Sequence, residues 1–391
     1  MRILFTLLGN SRRSNYLTGD TIRNGGGGGS GTDTSTILVA EYLASQGHEV
    51  VVVSDELEPL IENNLRKNGC TFKWGTVSRG VTYSNFKFDN VENKTFDILV
   101  NSLWFHNYDS LPVTITKGLV YWCHMQWVYG MSEIASFAKK HSLKLAFVHI
   151  SEWETKCTQG IVDAVCSQVE SAIVTLIPNP VFDEIITETL NKNIAKKPHK
   201  FIFHASWPRG GNVAVDAVRQ LPYEDKEFHA FDYLMVIHAH QDPFFHMHNG
   251  VDKQTLFQHL AESEYFIYPL YTPYQDVHKD TFSCVVAEAL ALGTTVLTYP
   301  LGALPEYYDG FVQWLDFPAG ASAEQMQNEP LSKDYEGIFK STANIVEKIK
   351  HLEANPHLKE ATRIKARESI LSRFNINKIG SMWSDLLNKM T

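Results

Sequence analysis

A chain of 391 residues, 44% of them hydrophobic and 20% charged, is long enough for two ordinary domains and apolar enough to bury a core in each. Its formal net charge of −9 argues against long-range attraction to nucleic acid, though not against a local basic pocket for phosphates. Five scattered cysteines without a C-x-x-C spacing argue against a disulfide framework and against a zinc knuckle.

The first element is a buried strand over Ile3–Leu8; the apolar run from Met1 is too short for a signal peptide. A glycine run, Gly25–Gly29, lies between that strand and a helix expected over Ser35–Gln46, which Gly47 stops. Strands follow over Glu49–Ser54, Phe96–Leu103, Leu119–Cys123, Leu145–Ile150 and Ile173–Ile177, with helices over Glu58–Lys67 and Glu154–Glu170. Asn191–Lys200, rich in Lys and Asn, reads as a solvated connector. A second series of strands covers Phe201–His204, Tyr233–His238, Tyr265–Tyr268, Thr295–Thr298 and Val312–Leu315, and Ile338–Lys389 has the periodicity of two or three helices. Alternating strands and helices give an α/β chain of two Rossmann-like, doubly wound domains, expected to face a central cleft. No window of 18 apolar residues exists, so no membrane span is expected and a soluble cytoplasmic protein is the default.

The segment Asp280–Glu306 is the most informative. Asp280 and Glu288 are separated by seven residues, the first before a helix and the second inside it. Thr281, Phe282 and Ser283 fall at the helix start, where free N–H groups and the dipole attract phosphate. A carboxylate on each side of such a start can grip hydroxyls, which suits a nucleotide-sugar with its anion in the middle. Arg209, in Ala205-Ser206-Trp207-Pro208-Arg209-Gly210, follows a strand at a place where a guanidinium can clamp a diphosphate. The bland alternative is an ordinary strand-to-helix turn with a solvent-facing Arg. His124 ends a strand and faces the ligand crevice of an open sheet, or else is a structural histidine beside Trp122 and Trp127; His106 is a weaker competitor. The Gly25–Gly29 run, with Gly28 and Gly29 at its end, is either a phosphate or acceptor loop or a plain surface loop, and lacks the G-K-[ST] of a Walker loop. His238, His240, His246 and His248 lack metal-site spacing and read as a strand end followed by a loop, so no metal is expected. Trp207, Tyr268, Tyr271 and Tyr274 are base-stacking candidates or simply core.

Taken together, the chain resembles a family-4 type glycosyltransferase of the GT-B fold. Asp280–Leu297 is similar to the family's E-x-F-G-x-x-x-x-E-A-x-A-x-G-x-P-V segment, and Gly302–Glu306 to its G-x-x-x-E turn. Ile177-Pro178-Asn179-Pro180 resembles the I-P-N-G domain junction, and Ala205–Gly210 the phosphate loop. Arg373-Phe374 and Met382-Trp383 resemble the closing element. The resemblance implies an acceptor domain over 1–180, completed by a C-terminal helix at about 375–391, and a donor domain over 181–374. It implies retaining transfer of a sugar from a UDP- or GDP-sugar to a glycan or other hydroxyl acceptor, with no metal or other cofactor. Under it, Glu288 binds the ribose, Asp280 the donor sugar, the Phe282 and Ser283 amides the distal phosphate, Arg209 the diphosphate, and His124 the donor sugar near the reacting carbon. Gly28 and Gly29 match the first-domain glycine loop. Three departures stand out: Asp280 is a methylene shorter than Glu, Ser206 replaces a basic residue so that Arg209 acts alone unless Lys279 or Arg23 joins it, and Pro180 replaces glycine. A sugar-nucleotide epimerase or hydrolase of the same fold, or a degenerate glycan-binding module, are the alternatives.

Overall fold

In the computed structural model, residues 1–7, 18–24, 30–54, 75–84, 91, 93–102, 107–125, 130–232, 242–249, 251–270, 279–317 and 335–391 are described. The expected helix over Glu58–Lys67, the strand over Tyr233–His238, the glycine run with Gly28 and Gly29, and His106, Trp127, His238, His240, Tyr271 and Tyr274 lie outside them. The chain divides into two compact units, Met1–Phe182 with Phe374–Thr391, and Asp183–Arg373.

The first unit is built on β1 (Arg2–Leu7), β2 (Glu49–Ser54), β3 (Thr76–Ser78), β4 (Val81–Ser84), β5 (Thr95–Asn101), β6 (Thr114–Trp122), β7 (Lys144–His149) and β8 (Ala172–Leu176). They form one sheet in the order β3-β4-β2-β1-β5-β6-β7-β8. All described pairs are parallel except the β3–β4 hairpin. Runs such as Val50–Val53 are buried throughout, as strands covered on both faces require. Helix Gly31–Ser45 is opened by Ser30, whose hydroxyl accepts from the Asp33 amide while Asp33 reaches back to the Ser30 amide. The last helix, Ile376–Met390, returns to this unit: Trp383 is fully buried with its ring 4.5 Å from Trp122.

The second unit has β9 (Lys197–His204), β10 (Glu227–Asp232), β11 (Phe245–Asn249), β12 (Ser263–Tyr268), β13 (Thr295–Thr298) and β14 (Gln313–Trp314). The sheet order is β11-β10-β9-β12-β13-β14, all parallel. Successive strands step one way from β9 through β10 to β11 and the other way from β12 through β13 to β14, so the topological switch lies between β9 and β12. Ligands of open α/β sheets bind outside the carboxyl ends of strands at such a point. The long helices Tyr335–Ala354 and Pro356–Phe374 complete the unit, the latter ending at its boundary.

Two expectations are corrected. The connector over Asn191–Lys200 is solvated as far as Pro198, but its last four residues begin β9, and Lys200 is 1% exposed, held by Glu262 at 2.6 Å. His246 and His248 lie within strand β11, not in a loop. Among the described residues, no helix is long and apolar enough to cross a membrane.

Candidate active site

The carboxyl ends of β9 and β12 bring Arg209 to two side chains 59 and 71 positions further along the chain. Tyr268 is the last residue of β12, Arg209 follows β9 in a one-turn 3-10 segment, and Asp280 precedes the helix Cys284–Ala291. Arg209 Nη1 donates to Asp280 Oδ1 and, at 3.0 Å, to the Tyr268 hydroxyl, which in turn donates to Asp280 Oδ2 at 2.6 Å. Asp280 is 7% exposed and Tyr268 1%, so water competes little for these bonds. Burial, then the Asp280 charge, raises the Tyr268 hydroxyl pKa far above its usual value, and it remains a donor. Arg209 thus takes part in a built site and is not a solvent-facing turn residue. Its charge is paired here with the Asp280 carboxylate.

The backbone around Asp280 is fixed from two directions. Gly302 has φ +60, and a Cβ there would stand 2.4 Å from the Asp280 carbonyl oxygen; the Ala303 amide donates to the same carbonyl at 2.9 Å. Only glycine permits that approach. The Tyr308 hydroxyl donates to the Phe282 carbonyl at 2.8 Å and the Ser283 carbonyl at 3.2 Å, and Phe282 packs edge-on against Tyr307. Gly210, at φ +110, lets the Arg209 loop lie on Pro269, whose ring a Cβ would meet at 3.0 Å. Ser283 is the N-cap of the helix in left-handed conformation, φ 64 and ψ 77, and its buried hydroxyl has no partner among the described residues. A non-glycine residue held there stores strain, a common mark of ligand-contacting backbone.

Glu288 sits in the second turn of that helix and is fully buried. Lys253, at the start of helix Lys253–Glu262, donates to its two carboxylate oxygens at 2.8 and 2.9 Å and lies 5.4 Å from the Phe257 ring centre. Burial raises the Glu288 carboxyl pKa and the Lys253 charge opposes the rise. Nothing in the sequence marked Lys253, since a lysine after Asp252 reads as an ordinary solvated first-turn residue.

His124 lies in the first unit, just beyond β6. Its ring stands 4.5 Å from that of Trp122, which in turn meets Trp383, so an aromatic stack sets its position. Burial drives its pKa down to about 3 and keeps it neutral. The neighbouring strand ends in a second buried pair that sequence reasoning missed, His149 Nδ1 at 3.8 Å from Glu154 Oε2. Arg23, a candidate helper cation, is bound at 2.9 and 2.7 Å by Glu41 and is 4% exposed, so its charge is already used. Trp207 and Tyr268 are core residues; Trp207 packs edge-on against Phe203 and Phe245.

The same fold recurs in solved structures. Sucrose-phosphate synthase from Thermosynechococcus elongatus matches with a TM-score of 0.64 at 10% identity, covering 100% of this chain and 99% of that one. This chain has the GT-B fold. HepE from Anabaena, in complex with UDP and glucose, matches with a TM-score of 0.56 at 10% identity, with 100% of each chain covered. An alpha-glucosyltransferase in complex with UDP-glucose and DNA containing an abasic site matches with a TM-score of 0.55 at 11% identity, over 99% of each chain. No protein-family model matches the sequence, and the search of curated proteins found no match.

Proposed function

We propose that this protein transfers a sugar from a nucleoside-diphosphate sugar, UDP- or GDP-linked, to a hydroxyl of a glycan or other acceptor, with retention of configuration and no metal in the transfer step. The observation that carries the reading is the Arg209–Tyr268–Asp280 cluster at the β9/β12 switch point of a GT-B chain, directly ahead of a helix whose second turn holds Glu288. The solved structures of this fold that hold UDP-glucose, or UDP with glucose, support the donor class.

In this reading the diphosphate lies over the Ser283 start of the helix, where amides and dipole favour negative charge. As the glycosidic bond breaks, an oxocarbenium-like centre forms and charge grows on the leaving diphosphate. On donor binding, before that bond breaks, Arg209 exchanges its bond with Asp280 for the phosphate oxygens, which frees the Asp280 carboxylate to accept from donor-sugar hydroxyls. Tyr268 keeps its hydrogen on Asp280 and holds that carboxylate in place. Glu288 accepts from the ribose while Lys253 orients it. The diphosphate itself takes the acceptor proton. Arg209 and the helix start are fixed before reaction, and losing one such donor typically costs about 100- to 1,000-fold in rate.

The experiment is a thermal-shift screen against UDP-, GDP- and ADP-sugars, followed by turnover with the best donor in wild type, Arg209→Ala and Glu288→Ala. Selective donor binding raises Tm. Wild-type turnover in both variants would end the site assignment.

A further inference from the structure

Strands β9 to β11 carry imidazoles where a parallel sheet under a helix ordinarily carries Val, Ile or Leu. In register, His229 of β10 stands beside His246 of β11, and Phe231 beside His248. Side chains alternate between faces, so these four share one face, together with Lys200 and His204 of β9. Helix Lys253–Glu262 brings His259 onto the same face, its ring centre 4.8 Å from those of both His229 and His248. His229 is 8% exposed, and the other two rings are partly buried.

The hydrogen bonds set the tautomer. His229 Nε2 lies 3.1 Å from Glu227 Oε2, and His229 Nδ1 lies 2.9 Å from His248 Nε2. A carboxylate only accepts, so His229 carries its proton on Nε2 and presents the Nδ1 lone pair to His248. A carboxylate behind a histidine is the usual outer support of a metal-binding imidazole. One nitrogen from each of His229, His248 and His259 lies within 4.8 Å of the others.

We propose that His229, His248 and His259 bind one divalent transition-metal ion of the zinc class, water completing the coordination, and that the ion ties edge strand β11 to helix Lys253–Glu262. Nitrogens held at about 2.0–2.1 Å from tetrahedral zinc stand about 3.4 Å apart. His248, whose Nε2 donates to His229 Nδ1 in this pair, shifts its proton to Nδ1, the pair opens slightly to admit the ion, and the widest nitrogen separation, 4.8 Å, closes by rotation of the side chains. Lys200 Nζ lies 3.2 Å from His259 Nδ1 and donates to Glu262 Oε2 at 2.6 Å. An ammonium only donates, so that bond occupies the Nδ1 lone pair. On metal binding His259 leaves Lys200, which keeps Glu262. The carboxylates of Glu227 and Glu262 offset the ion's charge, and Lys200 opposes it. Imidazole ligation suits zinc, nickel and copper and disfavours magnesium and calcium. The ligands lie toward the β11 edge, whereas Arg209, Tyr268 and Asp280 gather at β9 and β12, so ion binding and sugar transfer are assayed separately.

The test titrates the full chain, first stripped with a chelator, with Co2+ and then Zn2+. One equivalent of Co2+ should give the strong visible bands of a four-coordinate ion, and Zn2+ should bleach them. His248→Gln and His259→Gln should abolish the bands and weaken Zn2+ by at least about 100-fold, and Glu227→Gln, at a partly exposed position, by about 10- to 100-fold. His357→Gln, on an exposed position of another helix, should change nothing. A self-sufficient hydrogen-bonded ladder would instead give no one-equivalent step, only the faint spectrum of six-coordinate Co2+, or bands that survive in His248→Gln; any of these overturns the proposal. Should the histidine variants fail to fold, the wild-type spectrum and the Glu227→Gln affinity decide.

Discussion

The Lys253–Glu288 pair separates a residue kept for binding from one kept for stability. Glu288 is fully buried and Lys253 is 6% exposed, with contacts of 2.8 and 2.9 Å between them. Glu288→Ala leaves an ammonium in the interior with the Phe257 ring 5.4 Å away. Removing one partner of a buried pair costs about 3–5 kcal/mol, a large part of the roughly 5–15 kcal/mol that holds a domain folded. Lys253→Met alone is expected to cost a similar amount near neutral pH. The double variant Lys253→Met/Glu288→Leu removes both desolvation penalties at similar volume and is expected to be neutral or up to about 4 kcal/mol more stable than wild type. The assay is urea unfolding of the four proteins, together with calorimetric titration of UDP or GDP and turnover with the matching donor. The expected pattern is recovery of stability in the double variant without recovery of donor binding. Single losses below about 1 kcal/mol would refute the energetics of the pair, and wild-type turnover in the double variant would refute a role for Glu288 in the donor site.

Arg209→Ala is expected to lower kcat by about 100- to 1,000-fold, and Arg209→Lys, which keeps the charge but loses the fork, to recover only part of that, as steady-state kinetics will show. Gly302→Ala forces a Cβ to within 2.4 Å of the Asp280 carbonyl and should reduce donor affinity through the displaced loop, measured as KM. Ser283→Gly relieves φ 64 and should raise stability by about 1 kcal/mol while weakening the diphosphate, read from Tm and KM. Burial holds His124 and His204 down at about 3. The folded chain therefore binds fewer protons than the unfolded one between about pH 6.5 and 3, and stability present above 6.5 falls with acid by about 1.4 kcal/mol per pH unit for each ring, checked by unfolding at pH 7, 6 and 5.

Strands were legible where β-branched runs met clear stops. Glu49–Ser54 and Thr295–Thr298 have the bounds that their sequences imply. Val81–Ser84 was not recognised, because four residues after an Arg-Gly turn give too short a period to count. Residues 197–200 and β11 were missed for a different reason: cations and imidazoles occupy sheet positions that usually hold aliphatic residues, and tertiary partners such as Glu262 and Glu227 make that tolerable. Asp280 and Arg209 each carried a local signal, but their pairing across 71 positions follows from the β9/β12 switch point, which no spacing encodes. Tyr268 was noted for its ring, whereas its hydroxyl is what reaches the site. Lys253, His229 and His259 gave no local signal, since each depends on a partner brought in by the fold.

The most direct test of sugar transfer at this site is a crystal structure of the chain with UDP or GDP bound. Phosphate oxygens within hydrogen-bond reach of the Ser283 amide and the Arg209 guanidinium, with the ribose on Glu288, are the expected result. A nucleotide bound away from the Cys284–Ala291 helix start, with the Arg209–Asp280 pair untouched, would contradict it.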